Sequence, residues 1–184
     1  LIIVIVLIIT CFGFFTYKYY QSTKLDHKNW ERFIKDFHYS IDQSISQIDY
    51  MLSDDFKNEE IGDDVRSLEN NLLRDYYIIK HASDFIDSSL YYSTFLRDAP
   101  RIIYGVNSID GETNLPPLDE DGKLSTDEKS LLRTLQRQLT QAKDKMQLNQ
   151  TDKVNSDLST KEMNKIIENH LSNNYAAMYQ NAYK

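Results

Sequence analysis

Residues 14–61 contain neither glycine nor proline, so nothing in the first third of this chain of 184 residues interrupts a helix after Gly13. From Trp30 onward the apolar residues Trp30, Ile34, Phe37, Ile41, Ile45, Ile48 and Leu52 follow one another at intervals of three or four. The pattern makes two eleven-residue units, whose 3.67 residues per turn suits a nearly straight helix and imposes no left-handed supercoil. A single rod from Leu1 to Asp54 is expected, roughly 80 Å long at 1.5 Å per residue.

The rod begins in a different chemistry. Residues 1–17, LIIVIVLIITCFGFFTY, carry no charge, and Phe12, Phe14, Phe15, Tyr17, Tyr19 and Tyr20 gather at the downstream edge around Lys18. A bilayer core takes about 20 apolar residues in helical form, whereas the apolar stretch of a secretory signal is roughly 7 to 15. Aromatic rings favour the headgroup level. Residues 1–20 are therefore expected to be a transmembrane anchor, cut short at its start because the segment opens without methionine. A cleaved signal peptide is the competing reading. Cys11, the sole cysteine, has threonine before it and an apolar run after it, which suits an ordinary membrane-buried cysteine better than a lipidated one. Lys18, Lys24, Lys28, Arg32 and Lys35 would place the following side in the cytoplasm by charge bias alone. Asp26, Glu31 and Asp36 interleave with them, and long domains translocate regardless of such charges. A helix near a chain start acts most often as a signal anchor, which puts the bulk of the chain on the extracytoplasmic side.

Residues 21–184 are enough for one domain with a core, expected as helices over about 24–54, 63–98, 126–149 and 160–183. The acidic stretch 54–64 reads as a turn. Val65, Leu72, Ile79 and Ile86 then recur every seven residues, with Leu68, Ala82, Ser89 and Leu96 at companion positions, and Pro100 is expected to end that helix. Asp75 interrupts the stripe and needs an edge position or a partner. Residues 99–124 hold all three prolines and three of the five glycines, and form a long irregular loop. Ser125 followed by Glu128, and Ser159 followed by Glu162, are capping boxes that open the last two helices. The fold expected is all-α, a transmembrane helix continuing into an antiparallel four-helix bundle.

The sharpest local chemistry lies in residues 118–128, LDEDGKLSTDE, which resemble the later part of an EF-hand calcium loop. Acidic residues alternate, Gly122 permits the sharp turn, and Glu128 stands six residues beyond it, where it can ligate with both oxygens. The resemblance implies Asp119, Asp121, Ser125 and Glu128 as metal ligands. It departs at the first ligand, where Pro117 replaces the expected aspartate, and Pro116 with Pro117 leaves no helix leading into the loop. The simpler reading is an acidic turn before a helix start. A weak, extracellular-grade calcium site is the narrower one, and no other cofactor is expected. His27, His38, His81 and His170 form no histidine pair at helical spacing, and no nucleophile elbow or phosphate-binding glycine loop is present.

A net charge of −7 argues against nucleic acid, which requires a basic face. Tyr76-Tyr77 and Tyr91-Tyr92 offer contact surfaces, although one ring of each pair at the core edge and one outside is the plainer expectation. Tyr175, Tyr179 and Tyr183 extend the tyrosine set. The chain thus reads as a membrane-anchored, extracytoplasmic binding or sensory module without catalytic activity, engaging a protein partner or small ligand. Its shape is similar to helical sensor domains of bacterial receptors, which need a second spanning helix beyond residue 184. The alternative is a structural component that assembles as a homo-oligomer through its helix faces in a membrane complex.

Overall fold

The computed structural model describes residues 2–57, 59, 61–107, 114, 115, 117–148 and 151–171, with side chains from residue 12 onward except those of 106, 107, 114 and 115. The described residues form five helices: α1 (Ile2–Leu52), α2 (Ile61–Phe85), α3 (Thr94–Ile103), α4 (Thr126–Lys145) and α5 (Thr160–His170). Among the described residues, a two-residue antiparallel ladder of β1 (Val106–Asn107) with β2 (Asn114–Leu115) follows α3 in the chain. The fold is thus helical, as the periodicity predicts. Tyr175, Met178, Tyr179, Ala182 and Tyr183, and with them the end of the last expected helix, lie outside the described residues.

The first expectation holds as one helix. With 51 residues, α1 is about 77 Å long. Ile34, Phe37, Ile41, Ile45 and Ile48 are buried along one side of it, joined by Phe33 and Met51, while Trp30 and Leu52 pack at the margins. That face meets α2 and α4, α2 meets α3, and α4 meets α5. The shared core includes Leu68, Leu72 and Ile79 of α2, Phe95, Leu96 and Ile102 of α3, Leu132, Leu135 and Leu139 of α4, and Met163 and Ile167 of α5. Polar ties supplement it, with Gln47 donating to Asp64 at 3.0 Å and Lys143 of α4 paired with Asp42.

The helix expected over 63–98 is instead two helices. α2 ends at Phe85, and residues 86–93 form a turn before α3. Asp87 and Ser89 explain the break: the Asp87 carboxylate accepts the Ser89 amide at 2.9 Å and its hydroxyl at 2.7 Å, a local bond that competes with helix. α5 completes it. Asn164 accepts the Tyr91 amide and donates to the Ser89 carbonyl, both at 2.8 Å, and the Thr160 hydroxyl donates to Asp87 at 2.6 Å. Ser93 then caps α3, accepting from the Leu96 amide at 3.0 Å.

Pro100 does not end a helix but lies inside α3, so the irregular segment expected from residue 99 begins about one turn later, after Ile103. The missing proline N–H removes only the bond to the Leu96 carbonyl, and continuation for another turn buries Ile102 and Ile103. Both capping boxes are present with reciprocal bonds, and α4 ends at Lys145, four residues before the expected limit.

Among the described residues no helix is long and apolar enough to cross a membrane. The most apolar stretch, residues 1–11, lies outside the residues whose side chains are described. From residue 12 the amino-terminal part of α1 is exposed on every side. Phe12, Phe15 and Tyr19 are 72, 69 and 76% accessible.

Candidate functional site

The most concentrated polar and aromatic constellation lies where α1 and α2 run side by side. Asn29, Arg32, Asp36 and Tyr39 recur at three- and four-residue intervals on α1, and Arg74, Tyr77, His81 and Phe85 do the same on α2. The two rows line a cleft of about 770 Å³, with Phe33 and Ile78 in its walls. The His81 and Phe85 rings lie 4.8 Å apart along one wall.

Beneath the cleft sits a buried polar lock. Asp75 is wholly enclosed and accepts from Ser40 and, at 2.5 Å, from Ser44, both buried residues of α1. Arg74 donates from Nε to the Ser40 hydroxyl at 3.0 Å, so the chain of bonds runs from the cleft wall to the enclosed carboxyl. Burial pushes the Asp75 pKa up to about 6, opposed by the two hydroxyl donors and by Arg74. The residue that interrupts the apolar stripe therefore finds its partners on the neighbouring helix, where it fixes the register of α2 against α1.

Two guanidinium groups, the Asp36 carboxylate and four aromatic rings present charge of both signs and flat apolar surface together at the cleft, and Arg74 is held there by Ser40 and by Asn71 at 3.2 Å. Ser40 and Ser44 are committed to Asp75 and shielded from solvent.

The acidic segment is arranged differently from a closed ligand shell. Ser125 and Glu128 do come together, as a cap: Glu128 accepts the Ser125 amide at 2.7 Å, and Ser125 accepts the Glu128 amide at 3.3 Å. Asp121 accepts the Lys123 amide at 3.2 Å. Asp119 faces the start of α2, with a carboxylate oxygen 3.4 Å from where a side-chain carbon on Gly62 would stand. A carboxylate there opposes the helix dipole favourably. Gly122 has φ +71°, the left-handed turn for which glycine is suited.

The tyrosine pairs separate. Tyr76 is half-buried and Tyr77 exposed, as expected, but Tyr91 and Tyr92 are both exposed because they belong to the turn after α2 and not to a helix face. His38 is buried beside Gln147, its ring nitrogen 3.3 Å from the amide nitrogen, and burial followed by Lys143 lowers its pKa. The cleft itself escapes sequence reading, because its residues are ordinary amphipathic-helix residues until α1 and α2 are placed together. The interval series on each helix was the available signal. Compared with known proteins, the chain matches no family model, no curated protein and no solved structure.

Proposed function

We propose that this chain is a single-pass, membrane-anchored helical binding or sensory module without catalytic activity, with its anchor in residues 1–20 and its bulk on the extracytoplasmic side. One observation carries the reading: the helix whose amino-terminal half exposes Phe12, Phe14, Phe15, Tyr17, Tyr19 and Tyr20 continues unbroken into the wall of the cleft. At 100° per residue those six rings point all round the helix, which suits a surrounding lipid phase better than one protein partner. A displacement at the cleft would then be felt along a rigid element that enters the membrane. The arrangement fits an antiparallel four-helix bundle of α1, α2, α4 and α5, with α3 as an added element, and the packing of α1 on α2 and α4 and of α4 on α5 supports it.

The cleft is read as the ligand site, for an organic anion with an aromatic body. The test has two arms. In cells, the chain should stay in the membrane fraction through an alkaline wash, and protease added outside intact cells should digest residues beyond the anchor. Protection of that portion overturns the orientation, and release by the wash overturns the anchor. In detergent, a panel of aromatic carboxylates should raise the unfolding temperature, and Arg32→Gln should reduce the shift. No shift across the panel overturns the cleft as the site.

The structural-component reading draws support from Tyr77, Phe85, Tyr91 and Tyr92, large exposed rings of the kind that bury well in protein contacts. A stable oligomer in detergent, with no ligand-dependent stabilisation, would favour it.

A further inference from the structure

A second constellation lies at the neck of α1, away from the cleft, and joins residues 126 positions or more apart in sequence. His27 and Glu31 stand one helical turn apart on α1, and Asp157 approaches them from the connection between α4 and α5. One ligand atom from each lies within 4.8 Å of the other two. The approach of Asp157 is anchored, because the Trp30 indole donates at 2.6 Å to the carbonyl of Leu158, the next residue. A cleft of about 580 Å³ opens beside the trio, with Asp26, Asp87 and Asp157 among its lining residues and no lysine or arginine.

We propose that His27, Glu31 and Asp157 form a divalent-cation site of the zinc class, which pins the α4–α5 connection to the neck of α1. A neutral imidazole with two carboxylates supplies two negative charges and a mixed nitrogen and oxygen donor set, which suits zinc better than calcium. Bonds of roughly 2.0 to 2.1 Å in a tetrahedral shell place neighbouring donor atoms about 3.4 Å apart. His27 Nδ1 and Glu31 Oε1 are already 3.3 Å apart. The third donor lies within 4.8 Å of the other two, so a side-chain rotation closes the spacing, and water completes the shell. Lys35 also approaches Glu31, at 3.9 Å on its other oxygen, and both side chains are partly solvated, so this ion pair yields readily to a metal. The site involves neither the cleft nor the acidic turn, and it stands apart from the membrane reading.

Zinc chloride titrated calorimetrically into the full chain in detergent should show a single site, with an unfolding temperature that rises with zinc concentration. His27→Ala and Asp157→Asn should each weaken binding by at least about tenfold, the lower end of what loss of even an outer-shell group brings. His170→Ala, which removes a histidine of α5 outside the trio, should bind as the parent does. Far-UV circular dichroism melts of the metal-free variants separate loss of the site from loss of the fold. Undiminished affinity in both His27→Ala and Asp157→Asn overturns the site. So does a zinc-induced shift that survives them and vanishes in Asp121→Asn, and so does the absence of zinc binding at about millimolar concentration.

Discussion

Phe12, Phe15 and Tyr19 stand free on the amino-terminal half of α1, whereas Ile34, Phe37 and Ile41, further along the same helix, are completely enclosed. Both sets are apolar and both are helical, so neither hydrophobicity nor backbone conformation distinguishes them. What changes is the supply of partners. At Trp30 the indole reaches Leu158, and from Phe33 onward α2 and α4 cover one side of the helix. The carboxyl-terminal half restricts its apolar residues to the covered stripe and places Arg32, Lys35, Asp36 and Tyr39 outside. The amino-terminal half makes no such division over residues 12–28, where aromatic, polar and charged side chains alike are exposed.

Alanine replacement should break this contrast most sharply. Phe37→Ala empties a fully enclosed site and should cost about 3 to 5 kcal/mol in denaturant unfolding. Phe15→Ala should stay within about 0.5 kcal/mol in the same assay. Equal losses at the two positions would mean that the amino-terminal half is packed in the folded domain after all.

Asp75 sharpens the contrast through pH. Its pKa in the folded chain is about 6, against an ordinary 3.8, because burial favours the neutral acid. The folded state therefore holds an extra proton between these values. The stabilisation is fully present below 3.8 and is lost as pH rises through 6, by about 3 kcal/mol in all. Asp75→Asn removes this dependence, so the stability difference between variant and parent should move in the variant's favour from pH 4 to pH 8. An unchanged difference would show that Asp75 is ionised throughout.

At the boundary between the halves, Trp30→Phe keeps a ring and removes the donor to Leu158, for an expected loss of about 1 kcal/mol by thermal unfolding. A small gain is expected away from α1. A methyl group at Gly62 meets Asp119 at an ordinary 3.4 Å, so Gly62→Ala should stabilise α2 by about 0.4 to 1 kcal/mol. A loss there would show that the Asp119 carboxylate cannot move aside.

The rod and both capping boxes were legible in the sequence because their information is local: three- and four-residue spacing, and a serine three residues before a glutamate. The break after Phe85 was not, since the seven-residue recurrence runs on through Ile86 to Leu96 and hides it. Asp87 and Ser89 hinted at a turn, but Asn164 and Thr160, more than 70 residues away, complete its bonding. The neck trio was half legible. His27 and Glu31 are one turn apart on an evident helix, while nothing in the sequence brings Asp157 to them.

The unbroken course of α1 also fixes a rotational phase. Each residue advances the helix by 100°, so the azimuth of every aromatic ring before Trp30 is set by the stripe that enters the core after it. One alanine inserted near Ser22 would turn the whole amino-terminal half by about 100° and leave the core packing as it was. Seven would return it to within about 20° while moving it roughly 10 Å along the axis. The two halves are keyed to each other like the bit and the bow of a key, so a rotation of one would turn the other.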